Sequence, residues 1–182
     1  MQTQTLRNFA GLPCISEERR AKLQELCSNL GITMQQYELL NLALTHTSFA
    51  HETHHYPHNE HNERLEFLGD SVLGLIVSTY MYEHFPHFDE GRMTKLRAQV
   101  VCEASLYQCA KRIGLGDYLR MGNGELSSGG NKRPSILADA FEAVLGAYYL
   151  DQGFAAAQQY LLGLLEREIN DVCNGLLVMG DY

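Results

Sequence analysis

The chain has 182 residues, of which 45% are hydrophobic and 20% charged, enough for one sizeable domain of ordinary soluble composition, or at most a domain with a short appendage. No apolar run approaches the ~20 residues that span a bilayer, and the polar start Met1-Gln2-Thr3-Gln4-Thr5 does not read as a signal peptide, so a cytoplasmic protein without a membrane role is expected. The formal net charge of -8 argues against indiscriminate nucleic-acid binding, which rests on a basic surface, so any such contact has to be local.

Ser16 reads as the N-cap of a helix carrying Leu23, Leu26 and Leu30, with Gly31 as its stop. Thr33 is a second candidate cap, for a helix through Tyr37, Leu40 and Leu44. A long helix starts near Asn62 and runs to about Glu83, where His84-Phe85-Pro86-His87 breaks it. Asp89 caps a further long helix, with Met93, Leu96, Val100, Val101, Ala104, Tyr107 and Ala110 on its inner side, ending before Gly114. Residues 122–130 are too rich in breakers for regular structure and read as a surface loop. Ser135 opens the next helix, and Gly153 precedes a last one with Tyr160, Leu161, Leu164, Leu165 and Ile169. No strand pairs and no internal repeat emerge, so the fold class expected is all-α. The five cysteines, Cys14, Cys27, Cys102, Cys109 and Cys173, are odd in number and form no C-x-x-C pair; they read as reduced thiols in a reducing compartment.

The run from Asn62 to Asp70 sets Glu63, Glu66 and Asp70 at i, i+3 and i+7, within roughly 60° of arc on a helix. Leu65, Leu68, Val72, Leu75 and Ile76 form the apolar face, so the acid stripe is expected to face away from the core. A solvated acidic face is the plain reading. Against it, no Lys or Arg stands at i+4 from any of these acids, and Phe67 and Gly74 flank them, which a wet surface does not need. Asp139 and Glu142 form a second pair at i and i+3, with Ala143 and Gly146 on the same side, small enough for a backbone or ligand to come close. If the two stripes face each other, Glu66, Asp70, Asp139 and Glu142 converge, and their mutual repulsion drives them toward protonation. A hard divalent cation relieves it, and an all-oxygen ligand set favours Mg²⁺, with Mn²⁺ as substitute, over zinc.

The segment from Asn62 through Leu73 resembles the signature of the ribonuclease III family. So do Ser135 to Ala147, Ala43-Leu44-Thr45-His46-Thr47-Ser48, and Asp89-Glu90-Gly91 with the helix after it. The resemblance covers about residues 35–172. It implies a bacterial-type endonuclease domain, here a single domain over 1–182 with the usual double-stranded RNA-binding domain absent. It also implies Mg²⁺-dependent hydrolysis of double-stranded RNA, as in rRNA and mRNA processing, leaving 5′-phosphate and 3′-hydroxyl ends. By the same resemblance Asp70 and Glu142 are catalytic, Glu66 and Asp139 complete the metal ligands, and Glu63 and Glu90 are secondary acids near the cleavage site. Phe67 matches an aromatic that plugs a socket on the partner of a homodimer, which sets two acid sites along one duplex.

Eight of the 14 Lys and Arg residues lie between Arg92 and Arg133. Lys95, Arg97, Lys132 and Arg133 are the candidates for RNA phosphates, although simple solvation is the default for scattered basic residues. Duplex RNA is read mainly by shape, so sequence specificity should be weak. Without a separate basic module, binding should also be weak and strongly salt-dependent. Six of the eight histidines fall between His46 and His61. That tract reads as a solvated loop rather than a metal site, while His46, inside the Leu-Thr-His-x-Ser segment, is expected to order local structure. A di-iron carboxylate bundle needs two Glu-x-x-His motifs, and only Glu52 to His55 has the spacing. The stronger alternative is a non-catalytic double-stranded RNA-binding or ribosome-associated relative, whose mark is loss of acids. All six acids are present here.

Overall fold

A computed structural model describes residues 11–53 and 60–175. Among these the chain is helical throughout, with a lone parallel bridge between Thr45 and Arg120 as the one β-type pairing, so the all-α class expected from the sequence is the class observed. In order, the helices are α1 (Glu17–Leu30), α2 (Tyr37–Ala43), α3 (Thr47–Glu52), α4 (Glu63–His84), α5 (Glu90–Val100), α6 (Glu103–Arg112), α7 (Asn123–Ser127), α8 (Pro134–Gln152) and α9 (Phe154–Cys173). Short 3₁₀ turns at Leu115–Tyr118 and Gly130–Lys132 flank α7. None of the helices among the described residues is long and apolar enough to cross a membrane.

Where the cap chemistry is local, the ends fall where the sequence puts them. Ser16 Oγ accepts the Arg19 N–H at 3.1 Å, and Gly31 closes α1 at φ 66°, a left-handed turn that glycine adopts without strain. The Asp89 carboxylate accepts the Arg92 N–H at 2.8 Å. Asn62 precedes α4, and Pro134 sits in the first turn of α8, one residue ahead of the expected start.

Four expectations are corrected. Thr33 caps nothing; α2 starts at Tyr37, and the Asp151 carboxylate at the end of α8 accepts the backbone N–H groups of Gln35 and Gln36 at 2.8 and 2.9 Å just ahead of it. The long helix after Asp89 is two helices, because Cys102 turns extended (ψ 157°) and restarts the chain as α6. α6 then folds Leu106, Cys109 and Ala110 onto the interior beside α8, a direction that a straight continuation of α5 does not reach. The supposed loop at 122–130 contains α7, whose first N–H groups are bound from a distance: Glu52 accepts from Asn123 at 2.7 Å and from Gly124 at 3.2 Å, and Ser48 Oγ accepts from Gly122 at 2.9 Å. Leu75, assigned to the core face of α4, is 56% exposed.

The centre of the molecule is the α4–α8 pair. α8 is buried on most of its circumference, from Ile136 through Tyr148 apart from Asp139 and Glu142, and α4 adds the buried Leu65, Val72, Leu73, Ile76, Val77, Tyr80 and Met81 to the same core. α1, α2, α6 and α9 close around this pair with Leu23, Leu26, Leu40, Leu106, Leu161 and Leu165. Two glycines set how near the central helices come. A Cβ on Gly69 would stand 1.8 Å from the Glu142 carbonyl oxygen, and one on Gly146 would stand 2.5 Å from the Leu65 carbonyl oxygen. The helices therefore cross at backbone contact, one turn from each acid pair.

Candidate metal centre

The crossing explains why the acids meet. Glu66 lies three residues before Gly69, and Glu142 four before Gly146, so backbone contact at the glycines carries the carboxylates of both helices to the same rim. Carboxylate oxygens of Glu66, Asp139 and Glu142 lie within 4.8 Å of one another, all half-buried. This is the one such group of potential metal ligands among the described residues. The acid stripe is thus split: Glu66 is half-buried against α8, while Glu63 and Asp70 stay exposed as a stripe facing away from the core would. Asp70 stands on the same helical line as Val77 and Met81, both buried, and only the first turns of α4 leave that line open to solvent.

Electrostatics mark the group as strained toward protonation. Burial, then Asp70, Glu66 and Asp139, push the Glu142 carboxyl up to about 8. Glu66 is raised by burial and by Asp139, Glu63 and Asp70, and Asp139 by burial, Glu103 and Glu63, against a downward pull from His46. Three carboxylates this close share few protons comfortably near neutral pH, which is the condition that a bound divalent cation relieves.

The structure places the expected residues unequally. Asp70 is exposed and outside the 4.8 Å group, yet it is the strongest charged neighbour of Glu142. Glu63 sits at the margin, with Oε2 3.8 Å from His61 Nδ1. Glu90 is not with the acids; it accepts from Thr94 Oγ1 at 2.9 Å and lines a groove of about 590 Å³ beside Ser78, Tyr82, Met93 and Arg97, near the far end of α4. Of the basic candidates, Arg97 donates to Ser78 Oγ at 2.9 Å, and Arg133 pairs with Glu125 at 2.7 Å and donates to Ser128 Oγ at 3.0 Å. Lys95 and Lys132 are exposed. Phe67 is 79% exposed, on the flank of α4 next to the acids.

Glu103, the largest charged influence on Asp139, stands at the start of α6, where the apolar period runs on as one longer helix and gives no sign of it. His46 orders its surroundings as expected: its Nδ1 accepts the Ser48 N–H at 3.2 Å and caps α3. The middle of the histidine tract, residues 54–59, lies outside the described residues.

An all-α domain with a carboxylate cluster between two crossing helices is the class defined by fold and site. A family model described as ribonuclease-III-like matches residues 36–168. A ribonuclease 3 from a Geobacillus species is 51% identical over 147 residues, 81% of this chain and 59% of its own length. One from Pelotomaculum thermopropionicum is 53% identical over 156 residues, 86% of this chain and 64% of its own. The solved nuclease domain of ribonuclease III from Campylobacter jejuni superposes with a TM-score of 0.73 at 41% identity, covering 80% of this chain and 96% of that one. The chain belongs to the ribonuclease III family, and it spans about three-fifths of the length of the curated relatives it matches.

Proposed function

We propose that this chain is the nuclease unit of a Mg²⁺-dependent endoribonuclease that hydrolyses double-stranded RNA, leaving 5′-phosphate and 3′-hydroxyl ends. The observation that carries the reading is the carboxylate group of Glu66, Asp139 and Glu142 within 4.8 Å, held between two helices in a family of nucleases. The residues fit the ion: the donors are all oxygen, Glu142 is pushed to about 8 in the metal-free state, and the group is only half-buried, so an ion with several waters has access. Bound Mg²⁺ would supply acidification of a water and neutralisation of charge on the departing 3′ oxygen. Glu66, Asp139 and Glu142 would hold it, with Glu142 in its ionised form. In this reading Asp70, on the solvent side, orients the attacking water and accepts its proton as the new P–O bond forms; the bond to the 3′ oxygen breaks and a second water protonates that oxygen to the hydroxyl. Of the four basic candidates, exposed Lys95 and Lys132 are open to duplex phosphates, while Arg97 and Arg133 are engaged within the fold.

The assay is incubation of the protein with long duplex RNA, the matching single strands and duplex DNA, with Mg²⁺ or with chelator. Cleavage of duplex RNA that chelator blocks is the expected result. Absence of cleavage by well-folded protein that still binds duplex RNA would favour a non-catalytic binder instead.

The same reading makes the protein a cytoplasmic homodimer joined along α4. Phe67, Leu75 and Tyr82 are 79, 56 and 75% exposed, and with Ser71, Gly74 and Ser78 they form one stripe on the helix. The stripe is centred near Gly74, where a Cβ would meet nothing within 4 Å, and a two-fold pairing of antiparallel α4 helices about that point sets Phe67 opposite Tyr82 and the groove beside it. In the Campylobacter jejuni nuclease domain a region is likewise involved in dimer formation. Phe67→Ala is expected to weaken the dimer about tenfold or more, as loss of a central aromatic anchor does. Sedimentation at micromolar concentration checks it, and an unchanged dimer counts against this interface.

A further inference from the structure

We infer that α7 is an arm that meets the sugar-phosphate backbone of duplex RNA, and that Glu52, on α3, is the positioning residue that fixes it beside the acid group. The inference rests on the reading of the chain as a nuclease for double-stranded RNA.

α7 is five residues long and buries none of them, so it adds nothing to the core. A helix this short does not persist in water on its own. Its first turn is nevertheless bound from α3 at three points. The Glu52 carboxylate accepts the N–H groups of Asn123 and Gly124 at 2.7 and 3.2 Å, one on each oxygen, and Ser48 Oγ accepts that of Gly122 at 2.9 Å. The two elements touch there, since a Cβ on Gly122 would stand 2.5 Å from Glu52 Oε1 and 2.8 Å from the Ser48 carbonyl oxygen. At the far end Arg133 ties α7 to the turn that follows, through Glu125 at 2.7 Å and Ser128 Oγ at 3.0 Å. A segment held this way without covering any core is held for what it presents.

Both ends of the arm are joined to the helices that carry the acids. Ahead of it, the Arg120 N–H donates to the Leu44 carbonyl at 2.7 Å and the Arg120 carbonyl accepts the His46 N–H at 2.9 Å. Between those two residues, the Thr45 carbonyl accepts the N–H of Asn62, the residue before α4, at 2.9 Å. Behind the arm, Arg133 runs directly into α8, where Asp139 lies past Pro134 by about 8 Å along the helix axis.

The groups presented suit a nucleic-acid backbone. Asn123, Ser127 and Lys132 are exposed, an amide, a hydroxyl and an ammonium with no aromatic ring for stacking on bases. The carboxylate on α7, Glu125, is neutralised by Arg133, while the Lys132 ammonium is in no ion pair among the described residues. On a chain of net charge -8, such a local positive excess is what a polyanion requires next to acids. A protein partner would call for an apolar centre, and on α7 only Leu126, 48% exposed, offers apolar area.

Steady-state cleavage of a duplex RNA with Mg²⁺ over a range of salt concentrations tests the inference. Glu52→Gln keeps the shape but turns one accepting oxygen into a donor, so an N–H of α7 loses its partner. KM should rise about tenfold with kcat unchanged, whereas a purely structural Glu52 would lower the melting temperature and leave KM where it is. Lys132→Ala should raise KM by a similar factor and reduce the slope of log KM against log salt by about one, as loss of one phosphate contact does. In the double variant the two losses should not add, because both remove the same contact. Ser127→Glu, an exposed change that leaves the Glu52 bonds in place, should melt as wild type does and raise KM about tenfold by repulsion. An unchanged KM in any of the three single variants, additive losses in the double, or a fall in kcat at constant KM overturns the proposal. A wild type that cleaves no duplex RNA overturns the nuclease reading itself, and is told apart because it needs no substitution.

Discussion

Gly69→Ala is expected to be among the most damaging single-methyl changes in this protein. The added carbon would lie 1.8 Å from the Glu142 carbonyl oxygen and 2.5 Å from the carbonyl carbon, both backbone atoms inside a helix that cannot rotate aside. α4 and α8 must then separate by more than 1 Å along the seam that holds the largest share of the core. Overpacking against yielding side chains costs about 1–3 kcal/mol; against rigid backbone the cost should be about 4 kcal/mol or more, which lowers the melting temperature by about 10 °C in a chain of this size. Separation also draws Glu66 away from Glu142, so any protein that folds should lose divalent-cation affinity as well. Gly163→Ala, within α9, is the internal control, because a Cβ there meets nothing within 4 Å and alanine favours the helix. Thermal melts of the two variants decide it. Equal stability of Gly69→Ala and wild type would contradict the described crossing.

Glu142→Gln should abolish Mg²⁺-dependent cleavage, by roughly 10³-fold or more, and at the same time make the metal-free protein more stable. The sign follows from linkage. Glu142 stands at about 8 in the folded chain against an ordinary value of 4.5, so between those values the folded state binds more protons than the unfolded one. Its contribution to stability is complete below about pH 4.5 and is lost as pH rises toward 8. A neutral amide of the same shape removes that loss. With the partial exposure of the group allowed for, the gain at pH 8 is on the order of 1–2 kcal/mol, or several degrees of melting temperature. Added Mg²⁺ should raise the melting temperature of wild type at pH 8 and leave the variant unmoved. Melts at pH 5 and pH 8, with and without Mg²⁺, read all of this, and cleavage retained by the variant would remove Glu142 from the site.

How much of this was legible in the sequence depends on how far each cause acts. Ser16, Gly31 and Asp89 cap their own helices within three or four residues, and their chemistry can be read locally. Thr33 failed because the donors it was to satisfy are bound by Asp151, more than a hundred residues away. Residues 123–127 looked irregular because Glu52, on another helix, supplies the acceptors that let them coil. The break at Val101-Cys102 has neither Gly nor Pro, and the apolar period runs through it; only the demand of α8 for a covering helix reveals the turn. For the site, helical spacing paired the acids correctly on each element. Which carboxylates touch was set by the depth of the glycine crossing, and that left Asp70 outside the closest trio and brought Glu103 near Asp139.

The same crossing bears on how this domain can change over generations. Elsewhere in the core the distance between helices follows the volume of the side chains between them, so each exchange of Leu for Ile or Val shifts its neighbours slightly. At Gly69 and Gly146 the two backbones already touch, and the spacing there is a hard stop that no repacking farther along α4 or α8 can shorten. Repacking of the interior therefore leaves the register of the carboxylates unchanged, and two residues with no side chain set the dimensions of the acid group.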